Sequence, residues 1–174
     1  MNFILRITTI FFFLFSFTIS EVSAQKKSRK MVKADQAFTL EQYNKAAELY
    51  QKAYQSTKSR ATKSEIIFKQ AECYRFSGNI KRAESYYKRA IKAKYPDVLV
   101  YLKYADMLRM NGNYEEAKNQ YQKYIQLNPS DVTGEMGLKS CNYAINWLDN
   151  KTRYKVEIMP LVNSRFSDFS PSFG

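Results

Sequence analysis

Histidine is missing from all 174 residues. With it go the commonest general base and the commonest metal ligand. Glycine and proline are scarce, at five and four copies, so the breakers that punctuate a many-stranded sheet are in short supply. Two cysteines, far apart in the sequence, allow neither a disulfide framework nor a CxxC metal or redox motif. No Gly-rich phosphate loop and no nucleophile elbow can be found. These absences remove the usual constellations of catalysis, and the expectation is a protein that is not an enzyme and takes no cofactor and no metal. Few breakers and many long side chains favour helices joined by short connections.

Tyrosine, by contrast, is abundant, with 14 copies. Hydrophobic residues make up 45% and charged residues 25% of the chain, enough for one domain with a real core. The net charge is +12, a balance that can attract nucleic acid, anionic lipid or an acidic partner. Here Lys and Arg are interleaved with Glu at solvent positions of helical patterns, as on a solvated face. No nucleic-acid partner is expected. Direct binding of anionic lipid or polysaccharide by the basic surface is an alternative that salt would expose, because such attraction is screened beyond about 10 Å at 0.1 M salt.

Residues 1–24 have the pattern of a secretory signal. Arg6 is the positive flank, Ile7 to Ile19 the apolar run, and Val22-Ser23-Ala24 a small-residue cleavage site before Gln25. The run is shorter than the roughly 20 residues needed to span a bilayer. Lys26, Lys27, Arg29 and Lys30 then open the mature chain. Export is the expectation.

Internal repetition dominates the rest. Gly78-Asn79-Ile80 recurs as Gly112-Asn113-Tyr114, 34 residues on, as do Ala71 and Ala105, Ala83 and Ala117, and Tyr87 and Tyr121. An earlier copy, Tyr43, Ala46, Tyr50 and Ala53, is displaced by 37 residues from Ile80, Ala83, Tyr87 and Ala90. The three extra residues are expected in a loop around Arg60 to Lys63. Small Ala residues let neighbouring helices approach, the Tyr one turn later fills the gap between repeats, and Gly accepts the positive φ that ends a helix. After Pro129, Ser130 or Asp131 can cap a further helix from about Val132 to Trp147. Stacked repeats leave an apolar face at the end of the array, which such a helix would cover. Cys73 and Cys141 fall on equivalent positions two repeats apart, roughly 20 Å by helix stacking, and are expected as packed, unpaired thiols.

This order of small residue, Gly, aromatic, Ala, aromatic, Ala resembles the tetratricopeptide repeat family. The match runs Ala105, Leu108, Gly112, Tyr114, Ala117, Tyr121, Pro129 in the third copy and Ala71, Tyr74, Gly78, Ile80, Ala83, Tyr87, Ala90 in the second. In the first it runs Ala34, Ala37, Tyr43, Ala46, Tyr50, Ala53, without the turn Gly or the Pro. The family's early Trp is replaced by Lys30, Ile67 and Tyr101, and the Leu before the small residue by Lys33, Gln70 and Tyr104. The resemblance implies an all-α fold of helical hairpins stacked as a short right-handed solenoid. Its repeats would occupy about 27–60, 64–97 and 98–131, with a capping helix over 132–149, in a domain covering 25–149.

In that family the first helices of each pair line a groove that receives a peptide or helix. By register the groove would present Met31, Asp35 and Phe38, then Phe68, Glu72, Arg75 and Phe76, then Leu102, Asp106, Arg109 and Met110. An acidic column, Asp35, Glu72 and Asp106, is followed three residues later by Arg in two copies. Two readings stand side by side: an internal ladder of Glu72–Arg75 and Asp106–Arg109, each one turn apart and worth a few tenths of a kcal/mol, or a polar strip flanked by Phe and Met that grips a partner. Chaperone-binding members hold a C-terminal carboxylate with Lys and Asn at these positions. Acids stand in the Asn column here, so that specificity is not expected.

From Arg153 the period changes to two, with Tyr154, Val156 and Ile158 alternating with Lys155 and Glu157, the pattern of a strand. The following Asn163-Ser164 turn and Ser-Asp-Phe-Ser-Pro run resemble the start of a β-propeller blade, so residues 150–174 are expected to begin an incomplete β domain of a longer protein. An exported repeat array before a propeller resembles a group of Gram-negative envelope proteins. These end in a peptidoglycan-binding domain like that of outer membrane protein A, and some serve type IX secretion. The resemblance implies a protein–protein interaction scaffold with envelope proteins as partners. Peptidoglycan would be bound only by a domain absent from this sequence. A structural spacer with an empty groove is the alternative.

Overall fold

A computed structural model describes residues 28–150, and the readings of 1–24 as a signal and of 151–174 as a β segment fall outside the described residues. Among the described residues seven helices follow one another: α1 (Arg29–Thr39), α2 (Tyr43–Ser56), α3 (Arg60–Phe76), α4 (Ile80–Lys92), α5 (Leu99–Met110), α6 (Tyr114–Leu127) and α7 (Thr133–Asp149). Each packs on the next, and α5 also touches α7. The helices form two rows of a solenoid. The Phe38 and Phe76 rings, 5.7 Å apart, join α1 to α3, and Lys103 on α5 reaches Glu72 on α3. In the second row Lys88 of α4 pairs with Glu116 of α6 at 3.6 Å.

The repeated residues are the ones that close this packing. Ala34, Ala46, Ala71, Ala83, Ala105 and Ala117 are fully buried, and so are Tyr50, Tyr87 and Tyr121. Two apolar clusters result, one around repeat one and one running through repeats two and three. Cys73 and Cys141 are buried, unpaired thiols. Burial, with the Glu72 carboxylate beside it, pushes the Cys73 thiol up to about 12, far from the range in which a thiolate reacts.

The turns show why Gly is needed twice and is dispensable once. Gly78 and Gly112 have φ of 75° and 82°. Their N–H groups reach Arg75 and Arg109 carbonyls, and the N–H groups of Asn79 and Asn113 reach Tyr74 and Leu108, which is the Schellman closure of a helix. Repeat one makes the same closure with Glu41 (φ 58°) in the place of the glycine, bonded to Phe38, while Gln42 bonds to Ala37. A side chain in that conformation costs roughly 1–2 kcal/mol, and part of it returns as glycine's larger folding entropy. Glu41→Gly should therefore raise stability by about 0.5–1 kcal/mol, read as a melting temperature a few degrees higher. A lower melting temperature would mean that the Glu41 side chain holds something that the turn needs.

One expectation needs correction. Arg60 to Lys63 is not a loop: it is the first turn of α3, with the Ser59 side chain accepting from the Thr62 N–H at 3.3 Å. The extra residues lengthen a helix because a capping Ser lies ahead of them and no breaker lies among them. The last helix begins at Thr133, close to the expected start, and of the two expected cap residues it is Asp131 that accepts from its backbone N–H, at 2.9 Å. That helix seats Gly134, Cys141 and Leu138 against the array, yet leaves Met136, Tyr143 and Trp147 in solvent.

Candidate functional site

The row of α1, α3 and α5 carries the residues that the repeat register nominated. Their placement divides them into three groups. Met31, Phe68 and Leu102 are buried, at 1%, 8% and 7% exposure, and belong to the core. They were expected on the groove surface, and this is a correction. Phe68 looks toward the second helix of its hairpin, where it meets the Tyr87 ring at 5.9 Å, and it stacks on Tyr95 at 4.3 Å. Phe38 and Phe76 are drawn to the hairpin turns, where they pack with Tyr43. Its ring lies 5.4 Å from Phe38 and 5.2 Å from Phe76. Phe76 and Met110 remain accessible, at 47% and 58%.

The acidic column is built into the scaffold. The Tyr50 hydroxyl donates to Asp35 Oδ1 at 2.6 Å, the Tyr121 hydroxyl to Asp106 Oδ1 at 2.6 Å, and the Tyr87 hydroxyl to Glu72 Oε1. One hydroxyl from each second helix thus locks the acid of its own first helix. The arginines close the ladder. Arg75 Nη2 donates to Glu72 Oε2 at 2.8 Å, and Arg109 lies 3.8 Å from Asp106 while its Nε donates to the Tyr121 hydroxyl at 3.2 Å. Lys103 adds a bond across repeats to Glu72, at 3.6 Å. Burial alone would raise the Glu72 carboxyl, but the Arg75 and Tyr87 hydrogen bonds and the Lys103 charge outweigh it and hold it below the usual carboxylate range. The three hydroxyls move the other way: burial and the adjoining carboxylates push Tyr50, Tyr87 and Tyr121 well above the ordinary tyrosine value.

Two things escaped the sequence. One is the tyrosine–acid bond, although its signal was there: the spacing is 15 in all three repeats, Asp35 to Tyr50, Glu72 to Tyr87, Asp106 to Tyr121. The other is the lysine column. Lys69 and Lys103 occupy equivalent positions; Lys69 lies 5.8 Å from the Phe38 ring and Lys103 pairs with Glu72. The solvent side of this row is therefore basic and partly apolar. The Arg75 guanidinium lies 3.9 Å over the Phe76 ring, a stacked cation that keeps its plane and leaves an edge for an acceptor. Among the described residues no group of His, Cys, Asp and Glu could hold a metal ion.

Residues 68–132 match the family model for the tetratricopeptide repeat. None of the curated proteins compared is similar enough to count as a match. Among solved structures, the first TPR domain of human RPAP3 superimposes with a TM-score of 0.59 at 19% identity, over 71% of this chain and 94% of that one. The Arabidopsis OM64 TPR domain gives 0.58 at 19% identity, over 66% and 92%. The myosin chaperone UNC-45 from C. elegans, in complex with an Hsp90 peptide, gives 0.63 at 21%, over 73% of this chain but 14% of that one. At these identities the likeness concerns the fold. The described helices share the fold of these tetratricopeptide repeat domains, and residues 68–132 match the repeat itself.

Proposed function

We propose that this chain is a non-enzymatic protein-binding scaffold of the bacterial periplasm, docking a partner segment along the row of α1, α3 and α5 within an outer-membrane-associated assembly. The observation that carries the docking is the solvent side of that row. Arg75 and Lys103 both reach Glu72, Arg109 pairs with Asp106, and Phe76 and Met110 are accessible on the same pair of helices. Cations on a rigid helical face with apolar neighbours suit an extended segment that carries acidic and apolar side chains. The periplasmic part of the reading is supported by the signal pattern of residues 1–24 and by the propeller-like run after Arg153.

Several tetratricopeptide structures of this shape hold chaperone peptides, such as the first TPR of Spaghetti with the Hsp90 peptide SRMEEVD. A terminal carboxylate entering here would meet Glu72 and Asp106, so the partner is an internal segment or a folded surface. Charge reversal at both arginines (Arg75→Glu with Arg109→Glu) should weaken crosslinked capture of envelope proteins by tenfold or more, since two like-charge contacts of about 1 kcal/mol or more replace two attractive ones. Unchanged capture would move the site off this face.

The spacer reading keeps one observation in its favour. Glu72 already takes Arg75, Tyr87 and Lys103, so the ladder serves the fold even with nothing bound. Under that reading the arginine variants capture the same proteins as the parent.

A further inference from the structure

A cleft of about 600 Å³ lies between α2 and α4, with α3 as its floor. Asn44, Gln51 and Gln55 bring side-chain amides to the α2 wall, together with Glu48 and Lys52, and Arg82 and Tyr86 stand on the α4 wall. Gln70 and Tyr74 line it from α3. Gln70 is 1% exposed, and its Nε2 donates to Gln51 Oε1 at 3.1 Å and to the Ala47 carbonyl at 3.4 Å. Turned end for end, this amide would set its oxygen against that carbonyl, acceptor on acceptor, so its orientation is fixed. Gln70 Oε1 is therefore a buried acceptor with no donor among the described residues. An acceptor left in that state costs stability.

The next groove of the same row, between α4 and α6, does not carry that cost. By the repeat register Gln51, Gln70 and Arg82 correspond to Lys88, Tyr104 and Glu116. There the three close on one another. The Tyr104 hydroxyl donates to Glu116 Oε1 at 2.8 Å, and Lys88 pairs with the same carboxylate at 3.6 Å. In the cleft between α2 and α4 the acid of the trio is replaced by Arg82. Its guanidinium lies over the Tyr74 ring, 5.5 Å from the centroid, and pairs with no carboxylate among the described residues. The cleft thus presents an acceptor suited to a donor and a cation suited to an acid.

We propose that this cleft binds an extended polypeptide segment of a partner through an acidic side chain. A main-chain N–H of the segment donates to Gln70 Oε1, and its carboxylate takes Arg82. The amides of Asn44, Gln51 and Gln55 each carry a donor and an acceptor, as a peptide group does, and serve the rest of the main chain. A rotamer change among the exposed rim side chains Gln51 and Gln55 admits the N–H. Charge agrees, since Lys52 and Arg82 outweigh Glu48. A glycan suits the cleft less well, because the ring faces on which a sugar would stack are taken. Arg82 covers Tyr74, Arg89 lies 4.4 Å over Tyr86, and the two rings pack on each other at 4.9 Å. The site is separate from the face of Arg75 and Arg109: Glu72 lies two residues from both Gln70 and Tyr74, and so on the far side of α3.

The test is an NMR titration of the isotope-labelled full chain with a short acetylated, amidated peptide of alternating Glu and Ser. Saturable shifts are expected at the Gln70 side-chain amide and at the Tyr86 backbone, and a matched Gln–Ser peptide should bind about tenfold more weakly. Gln70→Leu separates this site from general attraction to a basic protein, because it leaves the charge unchanged. It strands no buried partner, since Gln51 is exposed and the Ala47 carbonyl keeps its place in α2. The variant should melt a few degrees higher and bind the acidic peptide about fivefold more weakly or worse. A Gln70→Leu chain that binds as tightly as the parent overturns the proposal. So does an acidic peptide that binds no better than its Gln–Ser control. Binding that survives Arg82→Glu but is lost in the Arg75→Glu, Arg109→Glu chain overturns it in favour of the other face. Saturable binding of a glucuronate oligosaccharide with none of the acidic peptide overturns it in favour of a glycan.

Discussion

Above pH 10 this protein should lose stability, and three tyrosines alone contribute about 4 kcal/mol per pH unit to the slope. Tyr50, Tyr87 and Tyr121 have no exposed surface, and each hydroxyl donates to a carboxylate. Burial, then the neighbouring negative charge, favours the protonated phenol, so all three keep their protons in the native state beyond the ordinary value of 10.0. In the unfolded chain they release them near pH 10. The sign is then determined. Folded values are raised, so the stabilisation is complete below pH 10 and is lost as pH climbs toward the folded values. Three protons held by the native state and not by the unfolded one give about 1.4 kcal/mol each per pH unit. A domain stable by about 5–15 kcal/mol exhausts that margin within a few units. Far-UV circular dichroism and tyrosinate absorbance should then change together for this group, in one cooperative step. Smooth ionisation near pH 10 with the helices intact would sink the idea. Tyr87→Phe should reduce the slope by about 1.4 kcal/mol per pH unit, at the cost of one bond to Glu72.

The same tyrosines show how far a sequence reading carries. Their period located the hairpins, because an aromatic that must fill the space between two helices recurs wherever that space does. Burial followed from composition: Ala34, Ala71 and Ala105 admit a close neighbour, and no larger residue could. Helix ends were legible where a residue type is nearly obligatory, as with Gly78 and Gly112, and were missed where a different residue bears the strain, as Glu41 does. The start of α3 was misplaced for a related reason. Loop and helix differ at Arg60 to Lys63 by one side-chain cap, Ser59 to Thr62, and an inserted stretch between repeats reads as a loop by default.

Which side of a helix faces a partner was harder to read. Register assigned Met31, Phe68 and Leu102 to the groove by analogy of position. Their burial is decided by the residues across from them, Tyr87 and Tyr95 in the case of Phe68, and that pairing is tertiary. The Glu72–Arg75 and Asp106–Arg109 pairs were foreseeable from one-turn spacing. The third member of each, the hydroxyl from the second helix, sits 15 residues beyond the acid and crosses a turn, outside the reach of local rules. The face proposed for a partner is therefore smaller and more basic than the nominated set, centred on Arg75, Phe76, Lys103, Arg109 and Met110.

Replacing Gly137 by alanine should destabilise the protein, against the grain of helix propensity. Gly137 lies within α7, where alanine is ordinarily better than glycine by about 1 kcal/mol. Here a Cβ would fall 2.3 Å from Tyr121 Cε1 and 2.4 Å from its Cζ. The ring cannot retreat. Tyr121 is fully buried, its hydroxyl donates to Asp106, and Arg109 donates to it in turn. Either α7 lifts off α6 or the ladder of repeat three is broken. Overpacking of this kind costs typically 1–3 kcal/mol and more when backbone must shift; after subtracting propensity, a net loss of about 2 kcal/mol is expected. Because the two effects have opposite signs, the direction of the change in melting temperature decides between them. A stabilised Gly137→Ala would show that α7 does not sit on the Tyr121 ring. The cause can be isolated by pairing the change with Tyr121→Leu. That substitution removes the ring and should make the added methyl nearly harmless, leaving a coupling of about 1–3 kcal/mol between the two positions. Additive losses would place the strain elsewhere, with the Ile125 and Tyr124 side chains beneath Gly134 as the next contact to test.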